Sequence, residues 1–196
     1  NAGLAKRKAI SVEYPQAVPL KYSIDATHCI YLQKGKCGFC AKVCPAQAID
    51  FEQKEQTVRL QVGSVILAPG FSTFDPQKLD TYQYSQYPNV ITSLEMERIL
   101  SATGPYHGHL VRPSDKKEPK KIAWLQCIGS RDINRCDHGY CSSVCCMYAV
   151  KEAVIAKEHS PVPLDTAIFY MDMRTYGKEF ESYYQRAKEE KGVRFI

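Results

Sequence analysis

Nine cysteines in a chain of 196 residues constrain its fold more than any other feature, because they fall into two tight groups. The first group consists of Cys29, Cys37, Cys40 and Cys44. The second group consists of Cys127, Cys136, Cys141, Cys145 and Cys146. Cysteines spaced this closely are typical of a metal centre or of a disulfide framework.

The first group ends in the run Cys37-x2-Cys40-x3-Cys44-Pro45, which is the spacing that bacterial ferredoxins use to hold a [4Fe-4S] cluster. Such a cluster needs thiolates that converge on neighbouring iron atoms, and Gly38 relieves backbone crowding where the chain lies close to it. The stretch Ile30 to Lys36 is longer than the two residues that ferredoxins place there. The run predicts an iron–sulfur centre and therefore electron transfer.

Zinc and disulfides are the alternatives for these cysteines. Zinc sites prefer two Cys-x2-Cys pairs or a mixture of Cys and His, and His28 is the one histidine near the first group. The sequence has no signal peptide and no apolar run long enough to cross a membrane. We therefore expect reduced, metal-bound thiolates in the cytoplasm and no direct membrane insertion.

The net charge of +5 raises the question of nucleic-acid binding. The excess is concentrated in two short basic runs, at residues 6–8 and 116–121, and such runs are typical of solvated segments. The 13 tyrosines do not interleave with Lys and Arg as they do in a base-stacking surface. We predict no nucleic-acid binding, and the sequence contains no recognisable Ser/His/Asp or paired-carboxylate site.

The first 62 residues are predicted to form a small ferredoxin-like module. In it, Val58 to Val62 alternates as a half-buried strand, and Ala48, Ile49 and Phe51 line the same small core. Residues 63–120 are predicted to be a connecting segment. It contains an apolar strand, Val65 to Ala68, and one short helix.

A capping box at Thr92 and Glu95 is predicted to open that short helix. Its apolar face would carry Met96, Ile99 and Leu100 inward.

From residue 121 to 196 the pattern is β-α-β-α-β. The predicted elements are a strand at Ile122–Leu125, a helix at Cys141–Glu158, a strand at Ala167–Met171, a helix at Lys178–Glu190 closed by Gly192, and a strand at Val193–Ile196. This order predicts an α/β fold that is part of a doubly wound, Rossmann-like domain.

The second cysteine group occupies the turn where a dinucleotide-binding unit carries Gly-x-Gly-x-x-Gly. That glycine pattern is absent, and thiolates face the helix N-terminus, whose partial positive charge favours an anion. Cys141 and Cys145 are predicted to share a helix face, with Cys146 about 100° further round. A single cluster would add Cys127 and leave Cys136 spare, whereas small buried core residues are the alternative. Asp172 is predicted to be a capping or loop residue.

Two segments, Cys127-Ile-Gly-Ser-Arg-Asp132 and Tyr140-Cys-Ser-Ser-Val-Cys-Cys-Met-Tyr-Ala149, closely resemble the A subunit of heterodisulfide reductase and its relatives. These relatives include a subunit of the quinone-interacting oxidoreductase of sulfate reducers. The resemblance extends to His28–Asp50, Tyr87–Thr92, Val111–Asp115 and Phe169–Asp172.

The resemblance implies a cytoplasmic iron–sulfur flavoprotein with a thioredoxin-reductase-like core and an inserted ferredoxin module. It implies that Cys127, Cys141, Cys145 and Cys146 bind one [4Fe-4S] cluster, with Cys136 outside the set. It also implies that Ala68, Pro69 and Gly70 pass close to FAD, although Pro69 stands where such proteins usually have Thr. The glycine motif that binds FAD in the family would lie upstream of this sequence, so the flavin site here is expected to be incomplete.

The expected function is electron transfer by [4Fe-4S] clusters between FAD and partner redox subunits of a heterodisulfide reductase-like complex. The chain reads as an internal piece of a larger oxidoreductase, and we expect the piece alone to be inactive. In two-cluster ferredoxins, the fourth cysteine of each run binds the other cluster, so Cys44 would belong to a partner cluster. The alternative is a zinc-stabilised structural or binding module with no redox activity.

Overall fold

The structure is a computed structural model that describes residues 2–196 in two compact units. Arg7–Ser72 form one, here called the N-terminal unit. Residues 2–6 and Thr73–Ile196 form the other, here called the sheet unit. Within the described residues, no helix is long and apolar enough to span a membrane.

The N-terminal unit contains little regular structure. Two short antiparallel strands, β1 (Ile10–Ser11) and β2 (Ser23–Ile24), precede two five-residue helices, α1 (Ile30–Lys34) and α2 (Phe39–Val43). Among the described residues of this unit, only Cys29 and Gly38 are buried. The unit therefore has no extended apolar core.

A pair of stacked rings fixes the local packing beside the first cysteine group. The rings of Tyr31 and Phe51 lie 4.0 Å apart, centroid to centroid. A Cβ atom added at Gly38 would lie 3.3 Å from the Tyr31 ring, and the φ of Gly38 is +68°. Because both the space and the backbone conformation disfavour a side chain, glycine is required at this position.

The two strands predicted at Val58–Val62 and Val65–Ala68 are absent, so those predictions are wrong. Their apolar side chains are exposed, Leu60 by 74% and Ile66 by 91%. Alternating hydrophobicity indicates which face of a strand would be buried, but a strand also needs a neighbour for its backbone hydrogen bonds. The described part of the chain provides no such neighbour here. The predicted small core is also incomplete, since Ala48 is exposed whereas Ile49 and Phe51 are half-buried.

The sheet unit is built on three parallel strands in the order β3 (Lys121–Leu125), β4 (Asp165–Phe169) and β5 (Arg194–Phe195). Trp124 pairs with Ile168, and Ile168 pairs in turn with Phe195. The described part of this unit contains four α-helices: α3 (Ser93–Leu100), α4 (Ile133–Cys136), α5 (Cys145–His159) and α6 (Phe180–Glu189). The predicted β-α-β-α-β order and the α/β class are therefore confirmed.

Helix α5 lies at the centre of the sheet unit, packed against α3, α6 and β4. The core that these elements share includes Ile99, Val150, Ala153 and Ile168, each at most 1% exposed. Burying an isoleucine or valine side chain contributes about 1.5–3 kcal/mol. This core positions the two ends of α5 relative to the sheet.

The predicted capping box opens α3 as expected. The Thr92 side chain accepts a hydrogen bond from the Glu95 N–H, and the Glu95 carboxylate accepts one from the Thr92 N–H at 2.6 Å. Met96, Ile99 and Leu100 are buried, as the sequence predicts. After α6, Gly192 takes a left-handed φ of +63°, and the Val193 N–H donates to the Ala187 carbonyl. The reversal leads directly into β5.

Candidate metal centre

All nine cysteines lie within the described residues, and none of them forms a disulfide. The disulfide alternative therefore has no support in the structure, and the thiols are available as metal ligands. The two groups occupy different units and are described separately.

In the N-terminal unit, short helices and left-handed turns place the four cysteines of the first group. Cys29 is the residue before α1 and is buried, whereas Cys37 is exposed in the turn before α2. Cys40 lies within α2, and Cys44 follows its last residue, where its sulfur accepts from the Ala48 N–H at 3.5 Å. Cys37 and Gly38 have φ values of +91° and +68°, so the chain turns sharply between α1 and α2. This turn is the tight loop that the Cys-x2-Cys spacing predicts.

In the sheet unit, the cysteines of the second group come from four places. Cys127 follows the carboxyl end of β3 in a left-handed conformation, with φ of +61°. Cys141 lies in the loop before α5, and Cys145 and Cys146 are the first two residues of that helix. Cys136 ends the short helix α4. The β3 turn and the start of α5 thus contribute four cysteines.

The prediction that α5 begins at Cys141 is wrong, and with it the prediction that Cys141 and Cys145 share a helix face. Ser143 has a left-handed φ of +60°, which a right-handed helix cannot accommodate. The helix therefore begins two residues later, at Cys145. Because Cys141 lies on a separate loop, it can approach the other thiols from a different direction.

Gly129 is required in the turn after β3. Its φ is +75°, and a Cβ atom there would lie 2.1 Å from Cγ of Phe74. Its carbonyl oxygen lies 3.1 Å from the His138 ring nitrogen Nδ1. The turn that carries Cys127 is therefore held from two sides.

Cys145 is the thiol that these surroundings most favour as a thiolate. A hydrogen bond from the Cys146 thiol, together with others from Ser142 and from the backbone N–H of Cys127, lowers its pKa to about 6. The hydrogen bond given to Cys145, together with burial, raises the pKa of Cys146. Since thiolates are the form that binds metal, the pair is a proton-sharing site that metal binding would fully deprotonate.

Cys127 interacts electrostatically with the thiols that open α5 and with Cys141. Burial raises the pKa of Cys127, and the negative charges of Cys145 and Cys141 raise it further. Four thiols of the second group therefore lie close enough to influence one another's charge. Cys136 is not among the thiols that shift these pKa values.

Two arginines lie beside the four thiols, and sequence reasoning missed both. Arg131 donates a hydrogen bond to the Cys127 sulfur, and the backbone N–H of Arg174 donates to Cys146. Their guanidinium groups also bind the carboxylate of Asp172, from Arg131 on one side and from Arg174 at 3.2 Å on the other. The hydrogen bonds from Arg174 and Arg131 lower the pKa of Asp172. Asp172 is a loop residue, as predicted, but one that holds two cations.

In the described part of the chain, no three His, Cys, Asp or Glu side chains converge as the ligands of a single metal ion do. A [4Fe-4S] cluster instead distributes its cysteines over four iron atoms, so its ligands stand farther apart than those of one zinc ion. This result concerns a site for one metal ion and does not test a cluster.

The predicted flavin-contacting residues lie in the segment that has no strand. Ala68, Pro69 and Gly70 are exposed, and a Cβ atom added at Gly70 would meet no atom within 4 Å. The backbone of Gly70 is left-handed, with φ of +75°. Contact with FAD at these residues remains a prediction.

No family model matches the chain. It is 47% identical over 194 residues to the iron-sulfur A subunit of CoB-CoM heterodisulfide reductase from Methanocaldococcus jannaschii, covering 99% of this chain and 28% of that protein. It is 50% identical over 194 residues to the A subunit of the H2/formate:CoB-CoM heterodisulfide,ferredoxin reductase of Methanococcus maripaludis, with the same coverage.

A third relative is the A subunit of the ferredoxin/F420H2-dependent CoB-CoM heterodisulfide reductase of Methanosarcina acetivorans. The two sequences are 40% identical over 196 residues, which are 100% of this chain and 24% of that protein. The chain thus spans about a quarter of the length of the curated relatives that it matches. The similarity runs through both cysteine groups. The chain belongs, over the length that it covers, to the family of heterodisulfide reductase A subunits.

Proposed function

We propose that this chain is an electron-transfer segment of a heterodisulfide reductase, which holds [4Fe-4S] clusters and passes electrons between FAD and partner redox subunits. The observation that carries the proposal is that Cys127, Cys141, Cys145 and Cys146 lie between the carboxyl end of β3 and the start of α5, where they interact electrostatically. In parallel α/β sheets, cofactors bind at this edge. The reductase activity itself is proposed for the whole protein, of which the chain is a part.

The donor set of the second group fits an iron–sulfur cluster. Four thiolates are the usual ligands of [4Fe-4S] clusters, and soft sulfur donors favour them. The first turn of α5 adds a partial positive charge and backbone N–H groups that have no partner within the helix, and both stabilise an anionic centre. When bound, the cluster supplies a site that accepts and releases single electrons.

The chain's own residues control how that site behaves. Cys146 is only 4% exposed, so one ligand lies in the protein interior, where solvent is excluded. The N–H groups of Cys127 and Arg174 donate to the ligand sulfurs of Cys145 and Cys146. Hydrogen bonds to sulfur and burial are the means by which proteins tune cluster potentials.

The first group is proposed to supply cluster ligands from Cys29, Cys37, Cys40 and Cys44. Support comes from the Cys-x2-Cys-x3-Cys-Pro run and from the left-handed turn at Cys37 and Gly38. Residues 1–62 are proposed to be a ferredoxin-like module, 63–120 a connecting segment and 121–196 part of a Rossmann-like domain. The parallel β-α-β-α-β arrangement supports the last of these.

FAD is proposed to lie near Ala68, Pro69 and Gly70 in the whole protein, which we place in the cytoplasm. The relatives' names include ferredoxin, formate and hydrogen, and this supports a complex with several redox partners. Electrons would then reach the clusters of this chain through other polypeptides or domains outside it.

Metal and sulfide analysis after anaerobic purification tests the proposal. We expect a brown protein with equal iron and acid-labile sulfide, and loss of one cluster in each of the variants Cys127→Ala, Cys141→Ala, Cys145→Ala and Cys146→Ala. Cys136→Ala is the matched control and should retain its iron. A colourless protein with stoichiometric zinc would establish the zinc-stabilised module instead, and equal loss in Cys136→Ala would overturn the ligand assignment.

A further inference from the structure

The loop after β4 brings two positive side chains to the second cysteine group through one carboxylate. Asp172 accepts hydrogen bonds from Arg174 Nε at 3.3 Å and Nη2 at 3.2 Å, and it also binds Arg131. Arg131 and Asp172 are 41 residues apart in sequence, so the contact ties the β3 turn to the loop after β4. The three groups together carry a net charge of +1.

Both arginines also face the thiols. Arg131 donates to the sulfur of Cys127, and the guanidinium of Arg174 interacts electrostatically with Cys141. The Cys146 sulfur lies 3.9 Å from the Asp172 carbonyl oxygen. The two guanidinium groups therefore adjoin two of the four proposed ligands, and the backbone of the residue that binds both arginines lies next to a third.

The arginine side chains are partly shielded from water, since 24% of Arg131 and 28% of Arg174 is exposed. Interactions between charges that are partly buried are screened less by solvent and salt than those on an open surface. Arginine also remains protonated at any relevant pH, so the positive charge is permanent. A centre bound by the four thiols experiences this charge in both of its redox states.

Resting on the proposed function, we propose that Arg131 and Arg174 raise the midpoint potential of the cluster bound by Cys127, Cys141, Cys145 and Cys146, with Asp172 as the positioning residue that holds both guanidinium groups. A four-thiolate cluster gains one negative charge when it accepts an electron. Nearby positive charge stabilises the reduced state more than the oxidised state, and net charge is one of the known determinants of cluster potential.

The test is a potentiometric titration of the full-length protein, followed by electron paramagnetic resonance. The signal of this cluster is identified as the one lost in Cys145→Ala. We expect Arg131→Gln and Arg174→Gln to retain iron and sulfide but to accept the electron less readily. A tenfold smaller equilibrium constant corresponds to a shift of about 59 mV to more negative potential for a one-electron couple. Arg131→Lys and Arg174→Lys, which retain the charge, should restore most of the shift.

Arg194→Gln provides the matched control. Arg194 pairs with Asp165 at 2.9 Å, and Asp165 begins β4, at the strand end opposite to the one that precedes Asp172. The same charge is removed, but away from the thiols, so the potential should not move. An equal shift in Arg194→Gln, or no shift in either glutamine variant that retains its cluster, would overturn the inference.

Asp172→Asn keeps the test decisive if the glutamine variants lose iron. It removes a negative charge but keeps the Oδ1 atom that accepts from Arg131 and from Arg174 Nε, so both guanidinium groups stay in place and the potential should become more positive. A more negative or unchanged potential would contradict the inference. If the unaltered protein binds no [4Fe-4S] cluster at these cysteines, the proposed function itself fails, and that result is distinct from a cluster whose potential ignores the arginines.

Discussion

The two units place their cysteines by different means. In the sheet unit, three parallel strands and a central helix supply a core in which Ile99, Val150 and Ile168 are at most 1% exposed. In the N-terminal unit, only Cys29 and Gly38 are buried among the described residues. A site on a packed framework can exist before its metal arrives, whereas a site on short loops depends on the metal to hold the chain together.

This difference predicts how each unit responds to iron and sulfide, and this is the largest effect that we expect. Anaerobic reconstitution should slow amide hydrogen exchange in residues 29–45 by about 100-fold, because metal binding supplies folding free energy that the loops lack. Amides of β3, β4 and β5 should change by less than about tenfold. Mass spectrometry of peptic fragments from the metal-free and reconstituted chain makes the comparison. Equal changes in the two units would show that both sites are equally preformed, or equally dependent on metal.

A matched pair of isoleucines tests the same contrast without metal. Ile168 is fully buried in β4, and Ile66 is 91% exposed. Ile168→Ala should lower the free energy of unfolding by about 3–4 kcal/mol, because it leaves a cavity in the core. Ile66→Ala should change it by about 0.5 kcal/mol or less.

Urea unfolding followed by fluorescence measures this free energy, because the chain's one tryptophan, Trp124, lies in the core of the sheet unit. A similar loss for the two isoleucines would mean that the exposed segment is packed in solution.

The buried carboxyl group of Glu152 should make the free energy of unfolding of the sheet unit depend on pH. It is fully buried, its Oε2 accepts from Trp124 Nε1 at 2.8 Å, and burial raises its pKa to about 8 from an ordinary value of 4.5. The folded state therefore keeps a proton that the unfolded state releases. The stabilisation is fully present below pH 4.5 and is lost as pH rises through about 8.

Glu152→Gln, which keeps an oxygen for Trp124 but cannot ionise, should remove this dependence. The difference in unfolding free energy between pH 5 and pH 8 should shrink by about 2–4 kcal/mol. Glu97 and Lys151 also act on the Glu152 charge, so Glu97→Gln serves as the control and should change the slope much less. An unaltered slope in Glu152→Gln would show that the carboxyl is ionised in the folded protein.

The smallest expected effect concerns the cap of α3. Thr92→Ala removes the side-chain oxygen that accepts from the Glu95 N–H. This substitution should lower the free energy of unfolding by about 1 kcal/mol. Thr92→Ser keeps the oxygen and should lower the free energy of unfolding by only about a few tenths of 1 kcal/mol. Urea unfolding again provides the measurement, and equal losses for alanine and serine would place the effect in the methyl group rather than in the hydrogen bond.

The parts of the fold that the sequence predicts are those set by local chemistry. The capping box at Thr92 and Glu95 marks a helix start whatever surrounds it, and the apolar pattern of β3 to β5 carries its own period. The strand at Val58–Val62 has an equally clear pattern but depends on a neighbour that the sequence cannot supply. A local pattern is therefore decisive only where its hydrogen-bonding partners are also local or assured.

At the candidate site, the sequence predicts the grouping of cysteines but not their setting. The left-handed backbone at Ser143 separates Cys141 from α5, and no residue type at that position indicates it. Arg131 and Arg174 approach the thiols only because Asp172 joins two loops that are distant in sequence. An arginine shortly after Cys127 and another shortly after Asp172 were the available signal, but their convergence depends on how the β3 and β4 turns meet.

The adjacent cysteines that open α5 lie at a boundary between two environments. Cys146 is 4% exposed, whereas Cys145 is half-buried, and one helical step separates them. A cluster bound by both would have one corner against the apolar interior and another near the surface. An external redox partner would reach a centre held by these ligands from the side of the half-buried thiols Cys127, Cys141 and Cys145, and not from the side of Cys146.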